Sequence, residues 1–353
     1  MKFYTDLNYF DIENYVFKRK NQGHYRIHHM YFYMCLLPKH LKKSLLERFE
    51  NYSMYPKWVY SRILNVEETF CHTIEECDYV VLPSDLAVLS ISPRKSFFRY
   101  EELIKKAILN NKKMLFFYGA DDNSEFNISK EYGYVFRNAG FASDHDTNVL
   151  GCPTFNLFSY CKTYRKKDLS VAFCGKIDTD SCNEVFDKQK YRGIRKQVYD
   201  ELFEKKCVEG ILRENWLGMV ETNYESHQDK HRAEFIRNLE NNLYGLCVRG
   251  GGNFSFRLGE VFMMGRIPIL IDTDCILPFK DYIPYHTNTV YVTKENSNNF
   301  TDVYSVIEEY HKSHTEEELI QIQKENFKIW IEYFTPDFAF KNTCKLLKEL
   351  DGK

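Results

Sequence analysis

Tyr244-Gly-Leu-Cys-Val-Arg-Gly-Gly-Gly-Asn-Phe-Ser-Phe-Arg-Leu-Gly-Glu-Val-Phe-Met-Met-Gly-Arg-Ile-Pro-Ile-Leu-Ile-Asp272 reads as strand, glycine loop, helix and second strand. Leu243 to Val248 is a short apolar run, the pattern of a buried parallel strand. Gly250, Gly251 and Gly252 admit positive φ and a close approach of backbone to ligand. Asn253 or Ser255 is placed to cap the helix carrying Arg257 and Glu260; Gly265 ends it, and Ile267 to Ile271 is the next strand. A helix N-terminus behind such a loop attracts anions, because its free N–H groups and its dipole both favour negative charge. Arg249 and Arg257 bracket that end. The loop therefore suits a diphosphate, and Glu260, one turn inside, suits sugar hydroxyls. No Gly-Lys-Ser/Thr follows, so this is not a Walker loop, and the spacing is not that of a dinucleotide fingerprint.

Outward from this segment the chain alternates helices and strands. Pro38–Glu50 and Tyr100–Asn110 have helical apolar spacing, while Tyr79–Pro83 and Lys113–Tyr118 read as buried strands. A further strand falls within Asp144–Phe158. The basic, polar stretch Tyr160–Leu169 is read as a domain boundary. The second half opens with the strand Ser170–Cys174 and Gly175, and continues with helices near Tyr191–Lys206, Lys230–Leu239, Thr315–Tyr333 and Phe338–Leu350. The expectation is an α/β chain with two parallel, Rossmann-like domains facing a cleft. Residues 1–160 would bind the acceptor and 170–335 the donor. Residues 336–353 would form a last helix returning to the first domain.

The residues also resemble a family. Leu246-Cys-Val-Arg-Gly250, Ser255-Phe-Arg-Leu-Gly-Glu260, Gly265-Arg-Ile-Pro-Ile-Leu270 and Leu277-Pro-Phe279 follow the order and spacing of the C-terminal signature of exostosin-like glycosyltransferases, glycosyltransferase family 47. Weaker similarity covers Val66–Pro83 and Val171–Lys176, with Arg195 beyond. The resemblance implies a GT-B fold, a nucleotide-sugar donor and inversion at the anomeric carbon. It places the donor on Gly175, Arg195, Arg249, Gly250, Gly251, Gly252, Asn253, Ser255, Arg257 and Glu260. Among the family's donors, UDP-xylose is the first choice ahead of UDP-glucose, UDP-galactose and UDP-glucuronate.

Transfer also needs a base for the acceptor hydroxyl. Asp85, Asp121, Asp122 and the Asp144-His145-Asp146 cluster are the candidates in the first half, with Asp85 and His145 placed first. No metal or other cofactor is expected. The rival is a metal-dependent GT-A enzyme using one of the Asp-x-Asp pairs, Asp144/Asp146, Asp178/Asp180 or Asp272/Asp274; the last falls where the family has an acidic residue. Two further rivals are a fucosyltransferase-like enzyme using GDP-fucose and a non-catalytic glycan-binding protein. The lack of a Thr-Glu-Lys sequence argues against the fucosyltransferase, and the joint presence of Arg249, Arg257 and Glu260 against the non-catalytic protein.

A net charge of -2 argues against nucleic acid or an anionic membrane surface as partner. No stretch is apolar for long enough to span a bilayer. The 11 cysteines, with no Cys-x-x-Cys and with Cys174 and Cys247 in apolar strands, point to reduced core thiols. Asn253 heads an Asn-x-Ser sequon inside the proposed donor loop, where a glycan would block it. The expected setting is cytoplasmic, that of a virus or protist making its own glycans. The partners are then a nucleotide sugar and a glycan acceptor.

Overall fold

The computed structural model describes residues 1–6, 35, 37–49, 57–66, 70–83, 86, 95–119, 128–145, 147–153, 168–177, 191–214 and 224–352. Asp85, Asp121, Asp122, Asp146, Asp178 and Asp180 fall outside them. Two compact units emerge, one of 1–159, 276–279 and 332–353, the other of 160–275 and 280–331. The donor domain expected over 170–335 therefore gives up residues 276–279 and 332–335 to the first unit. Each unit holds a five-stranded sheet, and every strand pair is parallel. The fold class is α/β, with one parallel five-stranded sheet in each unit.

In the first unit the strands β1 (Phe3–Tyr4), β2 (Tyr79–Val81), β3 (Lys113–Tyr118), β4 (Gly133–Arg137) and β5 (Val149–Gly151) lie in sequence order. Helices α1 (Lys39–Phe49), α2 (Lys57–Leu64) and α3 (Lys95–Leu109) accompany them. Tyr100, Leu103 and Ala107 of α3 are buried at helical spacing against Val80, Met114 and Phe116. Beyond β5, Pro278 makes a parallel bridge to Gly151, where a Cβ would stand 2.4 Å from the Leu277 carbonyl. Proline has no N–H to offer a further strand, so this edge is closed.

In the second unit the order is β10 (Val290–Val292), β9 (Ile267–Ile271), β8 (Tyr244–Cys247), β6 (Val171–Gly175), β7 (Val208–Leu212). Its helices are α4 (Ile194–Glu204), α5 (Tyr224–Asn241), α6 (Phe256–Met263), α7 (Tyr285–Asn288), α8 (Val303–Lys312) and most of α9 (Glu316–Phe334). A core of Val171, Phe173, Val198, Leu202, Leu246, Ile269, Val303 and Leu319 ties sheet to helices. Gly245 lets α6 lie close on β8, since a Cβ there would stand 2.4 Å from a Val261 methyl.

The last helix, α10 (Pro336–Leu350), belongs to the first unit. Asp337 pairs with Arg62 of α2 at 2.9 Å. At its far end Asp351 accepts from Lys113 Nζ at 2.5 Å, Tyr134 hydroxyl at 2.8 Å and the Tyr79 hydroxyl, so one carboxylate ties β2, β3 and β4 to the helix end.

Candidate donor site at the carboxyl end of the second sheet

The strand order of the second unit reverses between β6 and β8: β7 lies on one side of β6 and β8 on the other. In open α/β sheets the crevice outside the carboxyl ends at such a reversal is where ligands bind. Among the described strands the first unit has no reversal. Gly175 closes β6, and the glycine loop follows β8, so the sequence-predicted donor residues meet at this one place.

The loop is built differently from its sequence reading. None of Gly250, Gly251 and Gly252 has positive φ; Gly175, with φ 156°, and Gly265, with φ 58°, do. The loop closes on itself through Gly250 N–H to Phe254 O at 3.2 Å and Phe254 N–H to Gly252 O at 2.9 Å. What the glycines supply is room. A Cβ on Gly250 would stand 3.2 Å from Arg195 Nη2, and one on Gly175 would stand 3.2 Å from Arg257 Nη2. Each of these two glycines makes space for one guanidinium.

Those guanidiniums hold the loop. Arg195, in the first turn of α4, donates to Arg249 O at 2.8 Å, Lys176 O at 3.0 Å and Val248 O at 3.1 Å. Arg257 reaches across from α6 to Cys174 O and, at 3.4 Å, to Leu246 O, with its guanidinium 4.8 Å from the Phe173 ring centre and 5.8 Å from that of Phe235. Its Nε is buried with no hydrogen-bond partner. Arg249 is itself buried, and its Nη2 lies 3.4 Å from Gly251 O. It is a cation inside the loop.

Ser255 occupies the N-cap position of α6 in extended conformation, yet no side chain caps the helix. Asn253, the other candidate, is buried and turned away: its amide donates to Thr273 O at 3.0 Å and Asp274 O at 3.2 Å, and the Thr273 hydroxyl donates to its Oδ1 at 2.7 Å. It locks the glycine loop to the turn after β9. Of the first-turn N–H groups of α6, that of Leu258 turns back to Ser255 O at 3.2 Å, and the helix dipole still favours an anion at this end.

Glu260 is half-buried one turn inside α6, and no hydrogen bond or ion pair holds its carboxyl among the described residues. Burial pushes it up to about 7, against the opposing pull of Arg257. Near neutral pH it can therefore either donate or accept at a hydroxyl. The folded state binds a proton more tightly than the unfolded chain, so stability should fall as pH rises from 4.5 to about 7, then level off. Glu260→Gln should flatten that slope and be the more stable protein at pH 8, by about 1–3 kcal/mol for a group still partly wet. Urea unfolding of both proteins at pH 5, 6, 7 and 8 measures it; parallel curves would place the Glu260 carboxyl at its ordinary value.

Among the other candidates, His145 is half-buried after the short 3₁₀ turn Ala142–Asp144, in the loop from β4 to β5. Asp272 accepts from the Asp274 N–H at 2.8 Å and the Tyr291 hydroxyl at 2.9 Å, so each oxygen already has a protein partner. No group of three or more His, Cys, Asp or Glu positioned for a metal occurs among the described residues. Sequence reasoning missed Arg213, which follows β7 at this same edge. The strand Val208-Glu-Gly-Ile-Leu212 carries a Glu and a Gly and has no apolar alternation to reveal it.

A glycine loop at the switch point of a parallel α/β unit is an arrangement suited to a phosphate-bearing ligand. No family model matches the chain. Curated relatives do. A probable glucuronosyltransferase of Oryza sativa subsp. japonica is 34% identical over 67 residues, which are 19% of this chain and 16% of that protein. A probable beta-1,4-xylosyltransferase of Arabidopsis thaliana is 32% identical over 66 residues, 19% and 16% of the two chains. The chain thus matches about one-sixth of the length of these relatives, and over that segment it is similar to them. Among solved structures, a glycosyltransferase from Rickettsia africae ESF-5 aligns over 99% of this chain and 98% of its own at 9% identity and a TM-score of 0.42. The pneumococcal O-GlcNAc transferase GtfA aligns over 85% and 61% at 11% identity and 0.36.

Proposed function

We propose that this protein transfers a sugar from a UDP-sugar to a hydroxyl of a glycan acceptor, with inversion and without a metal. The observation that carries the reading is the uncapped N-terminus of α6 behind the glycine loop at the switch point, with Arg257 and Glu260 on the same helix. Bond breaking at the anomeric carbon puts charge on the diphosphate. Fixed N–H dipoles and a guanidinium already in place stabilise that charge without reorganising. Glu260 would hold sugar or ribose hydroxyls. A base, for which Asp85 and His145 remain the candidates, takes the proton from the acceptor hydroxyl. Xylose is the first choice of sugar, and the named relatives support xylose and glucuronate alike.

The metal-free reading rests on Arg257 and the α6 N-terminus, which would carry the diphosphate charge that a metal would otherwise carry. Two measurements test the whole. UDP at a hundred times its dissociation constant should stabilise the protein by about 2.7 kcal/mol, read as a raised melting temperature. Transfer from the UDP-sugar should persist in EDTA. No shift with UDP refutes the nucleotide site; loss of transfer in EDTA with recovery on Mn²⁺ refutes the metal-free mechanism and returns the Asp272/Asp274 pair to consideration.

A further inference from the structure

Arg213 lies one residue past β7, and its N–H donates to Gly175 O at 3.0 Å, the carbonyl of the glycine that makes room for Arg257. Its Nη2 stands 3.8 Å from Cys174 Sγ and pairs with Glu234 of α5, whose carboxylate also lies 3.4 Å from His231 Nδ1. From the opposite side Arg257 Nη2 donates to Cys174 O. Two guanidiniums therefore meet on one residue at the carboxyl end of β6, the strand beside the switch point. Burial holds the Cys174 thiol above its ordinary value despite both arginines, so it brings no charge to offset them. Glu234 is the ion-pair partner of Arg213, and Arg257 makes no ion pair among the described residues. The Nε of each arginine is buried without a hydrogen-bond partner. A buried N–H left without an acceptor costs about 1–3 kcal/mol, so two such groups on guanidiniums that flank the same residue are poised for an acceptor.

We propose that Arg213 is a second guanidinium of the donor site, and that one oxyanion of the bound nucleotide sugar bridges Arg213 and Arg257 over the end of β6; this rests on the nucleotide-sugar reading of that site. The oxyanion is either the sugar-linked phosphate of the diphosphate or a carboxylate on the sugar.

Affinities of UMP, UDP, UDP-glucose and UDP-glucuronate, measured by calorimetry on wild type, Arg213→Lys and Arg213→Met, separate the two sources. Lysine keeps the ion pair with Glu234 and lacks the Nε–H. If the phosphate is bridged, both variants should lose about tenfold or more of the gain from UMP to UDP. If a carboxylate is bridged, they should lose the gain from UDP-glucose to UDP-glucuronate by a similar factor. In both cases UMP affinity should stay within about twofold. Arg213→Lys behaving as wild type on all four ligands, or equal losses on all four including UMP, would make Arg213 a structural pin and overturn the proposal. Failure of wild type to bind any of the four refutes the proposed function itself, a result distinct from bound ligands that ignore the substitution.

Discussion

Arg257→Ala should weaken UDP binding about ten- to a hundredfold, because a charge-assisted hydrogen bond contributes about 1.5–3 kcal/mol. Arg257→Lys should fall between, since a lysine supplies a point charge where a guanidinium can bridge two oxygens. The diphosphate gains charge as the glycosidic bond breaks, so kcat should drop at least as far as affinity. The geometry adds a control. Arg257 also pins β6 to α6 through Cys174 O and lies against Phe173, so melting without ligand reports the loss of that pin separately. Calorimetry with UDP beside kcat for the three proteins makes the test. Unchanged UDP affinity in the alanine variant would leave Arg257 only its role as a pin.

Arg266→Met should destabilise the second unit by about 3–5 kcal/mol while keeping side-chain volume. Arg266 is fully buried, and its guanidinium donates to Leu239 O at 2.8 Å, Glu240 O at 3.0 Å, Met264 O at 3.2 Å and Gly265 O at 3.4 Å, with Gln323 Oε1 at 3.5 Å. These carbonyls lie at the C-terminal ends of α5 and α6, where no next turn is available to satisfy them. The positive charge also meets the negative ends of both helix dipoles. Removing it strands the carbonyls in the core. Urea unfolding is the measurement, and a loss under about 1 kcal/mol would mean that water or neighbouring groups take over these acceptors.

The two arginines show how far the sequence reaches. Arg257 was legible because its spacing from the glycine loop and Glu260 is local: a strand, a loop and a helix in series fix where it stands. The strands Lys113–Tyr118 and Ile267–Ile271 were legible for the same reason, each being an apolar run between breakers. The work of Arg266 was hidden, because its two shortest contacts, Leu239 O and Glu240 O, lie a strand and a helix earlier in the chain. Arg195 entered the donor set only through the family resemblance, and only the fold brings Val248 and Arg249 to it. Gly133–Arg137 passed unread as a strand, its five residues all buried with no polar alternation and an arginine at the end. Local pattern finds elements; pairing of distant carbonyls with buried cations is a property of the assembled unit.

The route of the chain also sets an order of events during synthesis. Everything the second unit needs has been made by residue 331, whereas the first unit still lacks its last helix and the carboxylate that ties three of its strands. The part translated first is thus completed last. While the ribosome makes residues 160–331, the first sheet has Tyr79, Lys113 and Tyr134 in hand but not Asp351, and the helical cover of Phe3 by Phe340 is still to come. The first unit is completed only by the final stretch of chain, while the second unit can close on its own as it emerges.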